Sequence, residues 1–344
     1  MAETVQTSVP NARVDVLAIM RSKIPTATNT LSRDMLLPDF ARYWLTSLTP
    51  DIKDSTRDAY QSAIDNHIDR VFFGTRLNEL TSEDVQYFIM SLTEGVELED
   101  PLSPKTIRNV HGVLHKCLQT AYTMKLIEEN PAKHTTMPKL RKVEIIPLNT
   151  EQLSRFLTAI SGHQLEVLLK LALFTGMRKG ELMGLTWDCF NFEEGYIRLT
   201  RQLSYNKTKR RYTFETLKNG KPRTIYPPAA VMEMMKQHKT RVRIGKYVFP
   251  GTTGGEHLTL SQIRKPFERL VEKLDIPQFR FHDLRHTYAV ISIKAGVDLK
   301  TISETMGHYS VAFTLDTYAF ALDDMKTEGA QKMQKYMTEQ QFSL

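Results

Sequence analysis

FHDLRHTYAV, residues 281–290, sets His282, Arg285 and His286 three and four positions apart, which places all three on one face of a helix. A face that carries one permanent cation and two imidazoles is either solvated surface or a seat for an anion. The segment alone leaves both readings open, so the chain on either side of it has to decide.

Helical patterns surround it. LSQIRKPFERL (260–270) precedes it and TISETMGHYSVAFTLDTYAF (301–320) follows. Further back, YIRLTRQLSYN (196–206) and RRYTFETLKNGKPRTIYPP (210–228) are rich in Tyr, Ile, Thr and Phe and read as strands, with Asn219-Gly220 as a tight turn between two of them. Another helical stretch spans about 150–190 and opens with TEQLSRFLTAI. The second half is therefore a helical domain holding a small antiparallel sheet.

The first half is helical throughout. Phe40, Trp44 and Leu48 recur every four residues, as do Tyr60, Ile64 and Ile68. Thr81 with Asp84 forms a capping-box-like start. Ser103 caps a further helix with Pro104 at its first position, and Ile107, Val110, Leu114, Cys117 and Ala121 make its apolar face. Between the halves, NPAKHTTMPKLRKVEIIP has three prolines and several basic residues and reads as a surface linker. Residues 1–35 are polar apart from VDVLAIM and read as a flexible arm or a lone helix. The fold class is mainly α with a small antiparallel sheet (α+β).

The composition is that of a soluble globular chain. Of 344 residues 41% are hydrophobic and 25% charged, with a net charge of +7 that favours a polyanionic partner. No apolar run reaches the roughly 18 residues of a membrane span, and the N-terminus lacks a secretory signal pattern. The two cysteines, Cys117 and Cys189, stand far apart with no CxxC, which argues against disulfide and zinc frameworks and suits a cytoplasmic setting.

Four segments carry candidate chemistry. In FTGMRKGELMGLTW, Gly176 and Gly180 flank Arg178 at a turn that opens a helix, a setting for a phosphate or for a surface pair with Glu181. TLKNGKPRT puts Lys218, Lys221 and Arg223 on a hairpin tip. The third is the His282–Arg285–His286 face. In the fourth, Gly307-His308 follows a helix and Tyr318 lies ten residues on.

Taken in order, GMRKGEL, TLKNGKPR, HDLRHT, MGH and LDTY resemble the tyrosine recombinase/integrase family of phages and integrative elements. The resemblance covers the second half and extends to the helical first half, which looks like the family's core DNA-binding domain. It implies an arm at 1–35, a core DNA-binding domain at 36–130, a basic linker at 131–147, a catalytic domain at 148–328 and a C-terminal tail at 329–344. It also implies a site-specific DNA recombinase that integrates or excises a mobile element through a 3′-phosphotyrosyl intermediate. Tyr318 would attack the phosphodiester, and Arg178 and Arg285 would clamp its non-bridging oxygens while His308 donates a further bond. Lys218 would protonate the leaving 5′ oxygen and His282 would take the phenolic proton. The energy of the ester is kept in the phosphotyrosine, so no ATP, metal or other cofactor is required.

The same resemblance implies duplex DNA held between two domains, a homotetramer on two DNA sites, and accessory DNA-bending or directionality proteins. Arg57, Lys105 and Arg108 are the candidate phosphate contacts of the first domain. The first 35 residues look too few for an additional arm-site domain. Met333, Tyr336 and Met337 could give the tail an apolar face for a neighbouring subunit or for its own domain. Tyr288 and Tyr309 are alternative phenols, and His286 has no task in the match beyond orienting its neighbours. The competing readings are a type IB topoisomerase-like swivelling enzyme and a DNA-binding protein without catalysis.

Overall fold

The computed structural model describes residues 31–96, 100–140, 145–207, 209–242, 245–251, 255–276, 279–323 and 326–340. Most of the proposed arm, VDVLAIM included, lies outside them. The chain divides into two compact units, one of Met1–Lys142 with Asn206–Lys209 and one of Val143–Tyr205 with Arg210–Leu344.

The first unit is a helical bundle. Helix α1 (Leu37–Tyr43) runs into a π-helical turn, Trp44–Leu48. Helix α2 (Asp54–Ala63) does the same through Ile64–Ile68 and ends in a turn at Asp69–Val71. Then come α3 (Ser82–Glu94) and α4 (Pro104–Thr123). Phe40, Trp44, Ile64 and Ile68 are buried, together with Ile107, Val110, Leu114, Cys117 and Ala121 of α4. Each large apolar side chain so buried contributes about 1.5–3 kcal/mol before conformational entropy is charged against it. Trp44 Nε1 donates to Thr120 Oγ1 at 3.0 Å, so its one polar atom is satisfied on the opposite helix.

Helix starts follow their capping chemistry. Thr81 Oγ1 accepts from Asp84 N at 3.2 Å and Asp84 Oδ2 accepts from Thr81 N at 2.9 Å. Ser103 Oγ accepts from Thr106 N at 3.2 Å. The front of the expected linker is packed rather than loose. Asn130 Nδ2 donates to His115 O at 3.1 Å, and Thr136 N donates to Gln86 Oε1 at 2.9 Å.

In the second unit, α5 (Thr150–Ala159), α6 (Glu166–Thr175) and α7 (Lys179–Met183) precede five strands. These are β1 (Phe190–Asn191), β2 (Tyr196–Leu199), β3 (Arg201–Asn206), β4 (Arg211–Thr216) and β5 (Arg223–Ile225). Helices α8 (Ala229–Arg241), α9 (Leu260–Lys273), α10 (Asp283–Lys294), α11 (Leu299–Met306), α12 (Val311–Asp323) and α13 (Lys326–Glu339) follow. Helix α6 is apolar nearly all round and lies in the core with Leu168, Leu169, Leu171 and Leu173 buried.

The strands depart from a simple hairpin series. YIRLTRQLSYN is not one strand: it breaks at Thr200 into β2 and β3, which belong to different sheets. The three-stranded sheet has the order β1-β2-β5, with Ile197 opposite Ile225 and Leu199 opposite Arg223, both pairs antiparallel. The other sheet pairs β3 with β4. Asn219-Gly220 does turn the chain, with Gly220 at φ +69°, yet it links one sheet to the other and is not the tip of a β-hairpin. Local turn chemistry fixes the reversal but not the partner of the strand that follows it.

Arg57 also departs from expectation. Its guanidinium donates to Leu45 O and, at 2.8 Å, to Thr49 O, which satisfies carbonyls left over where α1 ends. Arg108 spends two donors on Pro138 O, at 3.1 and 3.0 Å. Lys105 remains exposed. Arg57→Ala is therefore expected to lower unfolding free energy by about 1–3 kcal/mol in a denaturant titration, with the salt slope of DNA binding unchanged. Unaltered stability with a salt slope reduced by about one unit would return Arg57 to the phosphate-contacting set.

Candidate active site

The site is built on the C-terminal end of α11. Asp298 caps the start of that helix, and Gly307 ends it at φ +64°, a conformation open to glycine at no steric cost. Its last carbonyls collect three arginines from three other places in the fold. Arg223 Nε donates to Thr305 O at 2.7 Å, Arg285 Nη2 to Met306 O at 2.6 Å and Arg178 Nη2 to Gly307 O at 2.8 Å. The negative end of a helix dipole favours cations in this position.

Each arginine is also fixed from behind. Arg285 lies on α10, is 3% exposed, and sends Nη1 to Gly176 O at 2.5 Å. Gly176 ends α6 at φ +61°, and a side chain there would strike the Tyr288 ring at 2.5 Å. Tyr288 is thus engaged in packing. Arg178 is the residue before α7; Nη1 donates to Glu181 Oε1 at 3.1 Å and its backbone N–H to Oε2 at 2.8 Å. Arg223 meets the same carboxylate through both terminal nitrogens, at 2.8 and 2.7 Å. This makes Glu181 a buried support and not a surface acid.

Glu181, fully buried, is the shared counter-ion. Burial pushes its carboxyl up, but the hydrogen bonds and charge of Arg223, with Arg178 behind, outweigh that and hold it below its ordinary value. Arg285 has no carboxylate within ion-pairing distance among the described residues. Burial, and then the neighbouring Arg178, push its pKa down to about 9, which still leaves it charged at neutral pH. Three guanidinium groups thus face one carboxylate, and the site is short of negative charge.

Around this cluster stand the imidazoles and one phenol. Tyr318 is 1% exposed and sits where α12 departs from helical geometry, at φ −119° and ψ 17°. Its hydroxyl is 2.8 Å from His286 Nδ1. Its ring lies parallel to that of His308, with centroids 6.4 Å apart. Burial raises the phenol to about 12, against the pull of Arg285. His308 Nδ1 lies 2.7 Å from Thr314 Oγ1. When that hydroxyl donates to Nδ1, the imidazole proton stays on Nε2.

His282 is exposed, with its ring edge-on to His286 at 5.1 Å. Among the described residues it makes no hydrogen bond to Tyr318, so the expected proton acceptor is not the group beside the phenol. Lys218 is exposed on its turn, and among the described residues its amine makes no hydrogen bond or ion pair with the cluster. The next residue does reach it: Asn219 Nδ2 donates to Gly307 O at 2.8 Å. Tyr309 is 92% exposed.

The structure thus brings together Arg178, Arg285, His308 and Tyr318, with His282 at the edge. Sequence reasoning placed Arg223 on the turn with Lys218 but gave it no part in the site, and it missed Thr314, which gives no signal in the sequence. Among the described residues no group of three or more His, Cys, Asp or Glu side chains is placed to hold a metal, and no helix is long and apolar enough to cross a membrane.

The sequence pattern of the phage integrase family matches residues 147–324, just over half of the chain and the whole of this site. The chain belongs to that family. An N-terminal SAM-like domain of phage integrases matches residues 36–93. A tyrosine recombinase XerC-like protein of Caldanaerobacter subterraneus subsp. tengcongensis is 27% identical, over 90% of this chain and 85% of its own length. The ICEBs1 integrase of Bacillus subtilis is 23% identical over 88% and 83%. In fold, the chain is similar to a Tn1549 transposon integrase in complex with transposon right end DNA, at a TM-score of 0.73 and 22% identity over 85% of this chain and 99% of that one. As a phage integrase family member the chain is a tyrosine-type DNA strand transferase, and its activity is site-specific DNA recombination.

The histidines give this integrase a pH signature. Burial, then Arg285 and Arg178, push His308 down to about 3. Crowding by the surrounding protein and then by His286 and Arg285 pushes His282 down from its ordinary 6.5. The unfolded chain therefore takes up these protons first. Stability is fully present above about pH 6.5 and is lost as pH falls through 6.5 toward the folded values. The melting temperature of the DNA-free protein is expected to drop between about pH 7 and pH 5, and to drop less in His308→Gln. An identical drop in that variant would show that His308 titrates normally.

Proposed function

We propose that this integrase cleaves DNA by attack of Tyr318 Oη on one phosphodiester, leaving a 3′-phosphotyrosine and a free 5′ hydroxyl, and rejoins strands by the reverse step. Arg178 and Arg285 bind the two non-bridging oxygens as charge grows on them in the transition state. His308 adds a hydrogen bond from Nε2. His282 lines the mouth of the site and contacts the same phosphate. Lys218 protonates the departing 5′ oxygen, delivered by the turn that Asn219 ties to the end of α11.

The observation that carries this reading is the arginine cluster at the end of α11. It is preorganised and carries more positive than negative charge, and the phenol belongs to the same chain. Donors already fixed by carbonyls and by Glu181 do not have to reorganise when the phosphorane forms. Removing one is expected to cost about a hundred- to a thousand-fold in rate.

The same reading assigns residues 36–130 to DNA binding, with the exposed Lys105 among its phosphate contacts, 131–147 to a basic linker and 148–328 to catalysis. The biological reaction is integration or excision of a mobile element. Like the λ integrase dimer bound to a COC′ core site, this protein would work as more than one subunit, here a tetramer joining two sites, with accessory DNA-bending or directionality proteins. Exposed apolar residues on α12 and α13 support the assembly: Phe313 at 53%, Phe320 at 44%, Met333 at 60% and Tyr336 at 54%. Surfaces of that kind mark protein contacts.

The test is a nicked duplex from which the short fragment bearing the new 5′ hydroxyl is lost after cleavage, which traps the covalent complex. The parent protein is expected to form the adduct. Tyr318→Phe should form none while still shifting the duplex in a gel. Arg178→Ala and Arg285→Ala should form it at least a hundred-fold more slowly. An adduct with Tyr318→Phe would remove Tyr318 as the nucleophile.

A further inference from the structure

His286 neighbours the arginine of the HDLRHT segment, and it is the side chain actually bonded to the phenol. We propose that His286 is the base that takes the proton from Tyr318. The inference rests on Tyr318 being the nucleophile, and it displaces His282 from that task.

Geometry comes first. A general base has to lie within about 2.6–3.2 Å of the atom whose proton it removes, and His286 Nδ1 is 2.8 Å from Tyr318 Oη. The phenol has a proton to give, so it donates and Nδ1 accepts, with the ring's own proton on Nε2. His282 stacks edge-on behind His286, at a centroid separation of 5.1 Å, and so stands one ring further from the hydroxyl.

The surroundings suit an acceptor. His286 is partly buried. On its own helix it is near Asp283 and Arg285, and Arg280 lies just before that helix. Tyr318 faces it from α12, and His308 from the loop after α11. Burial lowers its pKa; Asp283 opposes this, while Arg285 and Arg280 reinforce it. The imidazole is therefore neutral, with a free lone pair, at neutral pH. Asp283 is itself held by Arg280, whose Nη2 donates to Oδ1 at 3.0 Å.

The step balances. As the Tyr318 Oη–phosphorus bond forms, the Oη–H bond breaks and its proton moves to His286 Nδ1. The phosphorus–O5′ bond breaks, and the 5′ oxygen receives its proton from another donor, for which Lys218 is the candidate. In rejoining, the 5′ hydroxyl attacks phosphorus and gives its proton back to the deprotonated Lys218 amine as the O5′–phosphorus bond forms; the phosphorus–Oη bond breaks, and the leaving phenolate takes its proton from the His286 imidazolium. A single residue thus serves cleavage and rejoining in turn.

The experiment measures single-turnover adduct formation on the nicked duplex from about pH 5 to 9, for the full-length parent, His286→Gln, His286→Ala, His282→Gln and Tyr318→Phe. Gln at 286 can keep a hydrogen bond to the phenol but cannot take its proton, so it separates a base from a residue that only holds the ring. His286→Gln is expected to lose about 10²- to 10⁴-fold in rate, to bind the duplex as tightly as the parent, and to lose the acidic limb of the pH profile. His282→Gln is expected to keep that limb. Imidazole added to His286→Ala is expected to restore part of the rate; this readout needs only that the alanine variant binds DNA. A His286→Gln rate equal to or above the parent's overturns the proposal, as does an acidic limb that disappears with His282→Gln instead. An adduct in Tyr318→Phe would sink the underlying reading; no adduct there beside an active His286→Gln would sink this inference alone.

Discussion

Three successive carbonyls at the end of α11, those of Thr305, Met306 and Gly307, each hold one guanidinium, and the site depends on that arrangement. The arginines arrive from the residue before α7, from β5 and from α10, far apart in sequence. Without a common acceptor they would repel one another. With it, they are fixed at short range. Glu181 relieves part of the repulsion by taking Arg223 in a two-pronged pair and Arg178 in a single one. One carboxylate cannot neutralise three cations. In a partly desolvated site the remainder costs free energy, and a phosphate group that enters recovers it.

That arrangement also explains why glycines stand where they do. Gly307 gives the helix end its left-handed turn and leaves room for Arg223, whose Cδ would lie 3.1 Å from any added Cβ. Gly176 does the same for α6, turning its carbonyl onto Arg285 while Tyr288 fills the space beside it. Asn219 binds the same carbonyl as Arg178, so the Lys218 turn is tied to the arginine cluster by a backbone atom and not by the lysine itself.

Much of this was legible beforehand because it rests on short-range patterns. Apolar periodicity marked the bundle core from Phe40 to Ala121, and caps at Thr81 and Ser103 marked helix starts, since both depend on residues a few positions apart. The order of Arg178, Arg285, His308 and Tyr318 was readable as a set of motifs. The sheet was less so. Whether β4 pairs with β5 or with β3 depends on contacts tens of residues away, and Asn219-Gly220 reads the same in either case. Arg57 and Arg108 look like free surface cations in sequence because nothing local announces the carbonyls of Leu45, Thr49 and Pro138. His286 drew no role because its partner, Tyr318, is 32 positions away and side-chain hydrogen bonds across helices leave no periodic trace.

The central claim is that the charge surplus at the end of α11 exists to hold a single scissile phosphate. The most direct measurement is a crystal structure of Tyr318→Phe bound to its uncleaved recombination-site duplex. The guanidinium nitrogens of Arg178 and Arg285 and the Nε2 of His308 are expected within about 3 Å of the non-bridging oxygens of one phosphate, with the ring at position 318 directed at that phosphorus. DNA seated with its phosphates elsewhere, and the arginine cluster still bonded only to carbonyls and Glu181, would contradict it.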